Sequence, residues 1–266
     1  MELVLLVAAC LMAGATIGFV GGVLGIGGGL LAIPLLGLVF GMEQQMAQGT
    51  SLIMVLPAIL MTVRKYNQRE PIDRKAATVS ALTAICFTWV GARLALGADP
   101  ILLRQVYAGF VFWIACFYFY QTFKRGRRRN VGSGVADRAA SAPASPKTFH
   151  PVWYALIGCL AGLTSGVFGV GGSVVVVPLL TTWFGLSQTR AQGLGLTMII
   201  PGTIVAMLTY GSHGQANWIV GAAMGLGSLV MVPYGVRLAY SLPELRLKLT
   251  FACMLLIIMI LLLLGT

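Results

Sequence analysis

Two glycine runs set in apolar stretches are the part of this chain best suited to handling an anion: Gly25-Ile-Gly27-Gly28-Gly29 and Gly169-Val-Gly171-Gly172-Ser173. A glycine-rich turn uncovers backbone N–H groups, and a helix starting there points its positive dipole end at the same space. Inside a membrane, such irregular backbone is tolerated only where protein buries it or a cavity borders it. The competing reading is close helix packing, which also favours small residues. Gly18, Gly22, Gly162 and Gly166, spaced four apart on one helix face, fit packing better. A dinucleotide-binding reading fails, because no strand precedes the glycines and no acidic partner follows them.

Polar side chains follow each run. Gln48, Thr50 and Ser51, with Gln192 and Thr197, open the next apolar spans and could donate to oxyanion oxygens, or could cap and tie helices instead. Arg93 and Arg237 lie within apolar spans at matching positions. An arginine at membrane depth is costly and therefore a candidate for ligand binding or gating. Each also lies near an expected helix end, from which it could reach the interface. His213 and Asp73 are candidate proton carriers, with a solvated loop role as the alternative. No catalytic set, metal site or cofactor is expected: the seven acids, Glu2, Glu43, Glu70, Asp73, Asp99, Asp137 and Glu244, are scattered. Cys10, Cys86, Cys116, Cys159 and Cys253 form no CxxC pair and read as small apolar residues.

The elements that must position these residues are membrane helices. The 266 residues are 58% hydrophobic and only 9% charged, against about 25% charged in ordinary globular chains. Apolar stretches run through 3–41, 49–63, 76–97, 105–123, 152–186, 193–212, 217–236 and 249–266. Most reach the roughly 17–25 residues that a helix needs to cross a bilayer. The first, with only Glu2 charged, reads as an uncleaved membrane segment.

Net charge is +11, yet no nucleic-acid partner is expected. Twelve of the eighteen Lys and Arg fall in two inter-span stretches: Arg64, Lys65, Arg69, Arg74 and Lys75, then Lys124, Arg125, Arg127, Arg128, Arg129, Arg138 and Lys147. Such excess marks a cytoplasmic face, and Arg127–Arg129 suits anionic lipid headgroups. Residues 124–150, basic and then rich in Gly, Ser, Ala and Pro, read as a flexible cytoplasmic linker between 1–123 and 151–266.

These two parts are copies of one unit. Residues 18–57 and 162–201 align without a gap at an offset of 144 (178 − 34), matching the glycines Gly18/Gly162, Gly22/Gly166, Gly25/Gly169, Gly27/Gly171, Gly28/Gly172 and Gly49/Gly193 along with Pro34/Pro178, Gln44/Gln188, Gln48/Gln192 and Pro57/Pro201. Gly91-Ala-Arg93-Leu-Ala meets Gly235-Val-Arg237-Leu-Ala at the same offset. The expected fold is an all-α integral membrane protein of two homologous repeats. Each repeat holds a glycine-broken helix plus three spans, giving 8–10 membrane segments in all. Equivalent loops carry opposite charge bias: 64–75 has five basic residues, whereas 211–216 has only His213. Inverted repeats are therefore expected, with eight full spans in parallel repeats as the alternative.

The doubled glycine-and-proline signature, Ala47-Gln48-Gly49-Thr50-Ser51-Leu52, Ile72-Asp73, Asn217-Trp218 and the paired GxRLA segments resemble the sulfite exporter TauE/SafE family over nearly the whole chain outside the linker. The resemblance implies a cytoplasmic-membrane permease or exporter of small sulfur-containing anions such as sulfite, sulfonates or thiosulfate. Homo-oligomerisation, direction and coupling ion stay open. The alternative from another class is an integral-membrane enzyme acting on a lipid-linked or small-molecule substrate.

Overall fold

The computed structural model describes residues 2–68, 74–129, 151–243, 247, 249–251, 253–256 and 258. These form α1 (Glu2–Leu24), α2 (Gly29–Phe40), α3 (Gln44–Asn67), α4 (Arg74–Leu96), α5 (Pro100–Arg129), α6 (Pro151–Phe168), α7 (Ser173–Trp183), α8 (Gln188–Ser212) and α9 (Trp218–Ser241). The described residues beyond Leu247 are helical too, and no strand occurs among the described residues. Linker residues 130–150, together with Arg69, Glu70, Ile72 and Asp73, lie outside the described set. α5 continues through the basic run that opens the expected linker, to Arg129. Lys and Arg are good helix formers, so nothing local ends the helix at Lys124.

Six helices, counted among the described residues, are long and apolar enough to cross a membrane: Val4–Leu24, Gln44–Asn67, Ala77–Leu96, Pro100–Tyr120, Gln188–Ser212 and Trp218–Ser241. Gly29–Phe40, Val152–Phe168 and Ser173–Trp183 are shorter apolar helices. Large apolar side chains cover the outside, among them Leu82, Trp113, Leu226 and Val230 at 61–63% exposure, while Gln48, Thr50, Ser51, Gln192 and Ser173 are buried. That inside-out distribution suits a lipid surround, where apolar surface costs nothing and polar groups must find partners inside. The chain is a multi-pass membrane protein.

Glycine explains where the first helix of each half stops. Gly25, Gly27 and Gly28 have φ of 64°, 73° and 85°, and Gly169, Gly171 and Gly172 have 66°, 83° and 65°. An L-residue in this left-handed region costs roughly 1–2 kcal/mol, so the three such positions within each short turn favour glycine. The chain reverses at each turn. Gly29 at the start of α2 touches Val55 in the middle of α3, while the end of α2 joins the start of α3. α2 therefore runs back against α3, and α1–α2 is a helical hairpin with its glycine tip beside the midpoint of α3.

Contacts between the halves fix helix directions. Gly14, Gly18 and Gly22 of α1 face Met224, Ser228 and Val232 of α9, so these helices run parallel in direct backbone contact. Gly158, Gly162 and Gly166 of α6 face Ser80, Ala84 and Thr88 of α4 in the same manner. Small residues are what permit this approach. α3 and α8 run antiparallel, because Tyr210 near the end of α8 bonds Gln48 near the start of α3, and Tyr66 bonds Gln192. Many of these features recur at the sequence offset. Helices begin at Gly29 and Ser173, Gln44 and Gln188, Arg74 and Trp218, and the contact Gly18–Ser228 becomes Gly162–Ala84.

Candidate functional site

The two glycine tips meet where α3 and α8 cross. A β-carbon on Gly25 would fall 2.5 Å from Gln192 Cδ, and one on Gly169 would fall 2.8 Å from Gln48 Cβ. Each half thus lays its turn against the glutamine of the other. Beneath the turns lie Val55, Ile59 and Ile199: Gly27 approaches Ile59 and Val55, while Gly171 approaches Ile199, Ile59 and Val55. Gly28 packs on Ile17 and Met54, and Gly172 on Ala161. The apolar floor excludes water, and the glutamines and turn backbones supply the polarity.

Each glutamine is held by a tyrosine from the antiparallel partner helix. Tyr66 Oη donates to Gln192 Oε1 at 2.7 Å, and Tyr210 Oη donates to Gln48 Oε1 at 2.9 Å. Tyr210 Oη also lies 3.0 Å from the Gly166 carbonyl. Gln192 Nε2 donates to the Leu24 carbonyl at 2.6 Å, one of the orphan acceptors left where α1 stops. Gln48 Nε2 has no hydrogen-bond partner among the described residues.

Of the other candidate residues, Ser51 joins the turns: its Oγ donates to Gln48 O at 2.7 Å and Gly169 O at 3.2 Å. Ser173 is fully buried at the first position of α7, behind an N-cap, Gly172, that offers no side chain. Thr50 serves structure, since its Oγ1 accepts from Asn217 N at 2.9 Å and so ties α3 to the start of α9. Thr197 bonds back to Gly193 O of its own helix at 2.8 Å.

Arg93 and Arg237 do not join the site. Both are exposed on the outer faces of α4 and α9, within a turn or so of the helix ends. Arg93 lies over the Trp89 ring, 5.4 Å from its centroid, as expected of a long cation reaching for the interface over an aromatic neighbour. Of the two readings open for these arginines, the exposed positions favour the interface-reaching one, because a helix near its end can turn such a residue outward. His213 caps the end of α8, its Nδ1 2.8 Å from Thr209 O, away from the turns. Tyr66 and Tyr210, which sequence reasoning passed over, were detectable: they stand at the repeat offset (210 − 66 = 144), just beyond the gapless block.

Comparison with known proteins places this geometry. The family model described as sulfite exporter TauE/SafE matches residues 10–262. The chain belongs to that family. Within it, the chain is similar to a probable membrane transporter protein of Methanocaldococcus jannaschii, 22% identical over 240 residues, 87% of this chain and 84% of that protein. A second, the probable membrane transporter protein YdhB of Bacillus subtilis, is 23% identical over 232 residues, 87% of this chain and 90% of the relative. A third, from Xylella fastidiosa strain Temecula1, bears the same description and is 24% identical over 232 residues. No solved structure matches the chain. As a TauE/SafE member the protein is a membrane transporter, and the glycine tips are its most distinctive interior feature.

Proposed function

We propose that this transporter is a secondary permease or exporter moving small sulfur-containing anions, such as sulfite, sulfonates or thiosulfate, across the cytoplasmic membrane. In this reading the halves are inverted repeats, and the anion sits between the glycine tips, held by turn N–H groups and by the glutamines. The observation that carries it is the reciprocal contact of each turn with the other half's glutamine, Gly25 with Gln192 and Gly169 with Gln48. A site built from equivalent groups of two antiparallel units can be opened to either side by rocking one half against the other. The antiparallel course of α3 and α8 supports the inversion, and the family description supports the class of cargo.

Flux into sealed vesicles containing the purified protein tests the proposal. Sulfite, thiosulfate, sulfoacetate and sulfate are offered in turn, with and without an imposed pH gradient. At least one reduced or organic sulfur anion is expected to move above the protein-free background. Flux of none of them, in protein shown to be folded, would remove the sulfur-anion reading.

A further inference from the structure

We infer that the bound anion rests on the second half's turn, on Gln48 Nε2 and Ser173 Oγ, and that this site selects singly charged sulfur oxyanions over doubly charged ones. The inference rests on the transport reading above. Its starting point is that the two turns differ in their spare donors. Gln192 Nε2 is occupied by the Leu24 carbonyl at 2.6 Å. Gln48 Nε2, packed against Gly169, has no partner among the described residues, and neither has Ser173 Oγ at the other end of that turn. Both residues are 0% exposed. A buried donor without a partner is costly, so two bordering one turn mark where an acceptor belongs. The first half has Gly29 where the second has Ser173 (173 − 144 = 29), so its turn lacks the hydroxyl. Gly172, the N-cap of the 11-residue α7, has no capping side chain; Ser173 N and Val175 N donate to the Gly171 and Gly172 carbonyls, which leaves the Val174 N–H of the first turn to add to the donor set.

Charge selectivity follows from what surrounds these donors. The buried polar side chains among the described residues are Gln, Ser and Thr, with the tyrosine hydroxyls beside them, all uncharged. Neutral donors stabilise an anion through dipoles, while the penalty for removing it from water grows with the square of its charge. A monosulfonate or hydrogensulfite carries one charge and meets that limit, whereas sulfate, and thiosulfate among the cargoes proposed above, brings two charges with no fixed cation to meet them.

Equilibrium binding to the purified protein in lipid nanodiscs tests this, with methanesulfonate as the monoanion and sulfate as the dianion. Methanesulfonate should bind at least about tenfold tighter than sulfate. Gln48→Leu and Ser173→Gly should each weaken methanesulfonate binding about tenfold or more, the range for losing one hydrogen bond to a charged ligand. Gln192→Leu should weaken it less than either. Thermal unfolding checks that each variant is folded, and if Gln48→Leu is not, Ser173→Gly decides, since the first half carries glycine at that position. Sulfate binding equal to methanesulfonate, or Ser173→Gly with wild-type affinity, would overturn the assignment while leaving the transport reading intact. If the wild type neither binds nor carries any sulfur anion, both fall together.

Discussion

At the scale of single residues, the unusual investment is in two tyrosine–glutamine pairs with no access to solvent. Tyr66 and Tyr210 are both essentially buried, and each hydroxyl satisfies an amide oxygen that would otherwise be an orphan. Tyr66→Phe keeps the ring beside Tyr240, 5.3 Å between centroids, and removes only the hydrogen bond to Gln192. The expected loss is about 1–3 kcal/mol, the cost of leaving a buried acceptor unpaired. Tyr234→Phe, at a 59% exposed position, should change stability far less. Thermal unfolding of both variants in detergent measures the contrast, and equal midpoints would mean that the Tyr66–Gln192 bond contributes nothing to the fold. The glutamines were legible in the sequence as repeated amides at the start of spans; the tyrosines stand out only as a matched pair at the repeat offset, and nothing in the sequence marks them as the glutamines' partners. Gln48 and Tyr210 are 162 positions apart (210 − 48), and only the antiparallel crossing of α3 and α8 brings them together.

At the scale of elements, glycines of two kinds do different work. Gly18 and Gly162 lie where helices touch: an added β-carbon would stand 2.5 Å from Ser228 Cα or 2.6 Å from the Ala84 carbonyl oxygen. Backbone atoms cannot step aside, so alanine at either position must push helices apart. Overpacking of this kind costs about 1–3 kcal/mol and should lower the yield of folded protein. At Gly171 the nearest atom to such a carbon is Ile199 Cδ1 at 3.3 Å, yet φ is +83°. Alanine there strains the turn by about 1–2 kcal/mol and shifts the backbone proposed to hold the anion, so transport should fail in protein that still folds. Gly27→Ala should behave similarly, with an added contact on Ile59. Flux normalised to folded protein separates the two kinds. Wild-type flux from the Gly27 and Gly171 variants would show that the turns serve packing alone.

At the scale of the whole molecule, the directions of α3 and α8 carry a topological consequence. Antiparallel helices end on opposite faces, so Gln68, just beyond α3, and Ser212, the last residue of α8, should be reached from opposite sides of the membrane. With the basic Arg64 and Lys65 in the last turn of α3, Gln68 is expected on the cytoplasmic side. Cysteine placed at Gln68 or Ser212, in a background without the native cysteines, can be labelled with an impermeant thiol reagent on intact cells and on inverted vesicles. Ser212→Cys should react from outside and Gln68→Cys only in the inverted vesicles. Labelling of both from one face would contradict the antiparallel crossing and restore parallel repeats.

What the sequence determined alone is whatever depends on composition and local backbone rules. Apolar length demanded membrane helices, and glycine clustering foretold the breaks after Leu24 and Phe168, because only glycine takes the left-handed conformation without a penalty. Tertiary structure decided which polar groups face each other. It turned Arg93 and Arg237 outward, engaged Thr50 with Asn217, and left Gln48 Nε2 and Ser173 Oγ unpaired while Gln192 found the end of α1. Those outcomes depend on helix rotation and on contacts between residues far apart in the chain, and no local pattern of residue types encodes either.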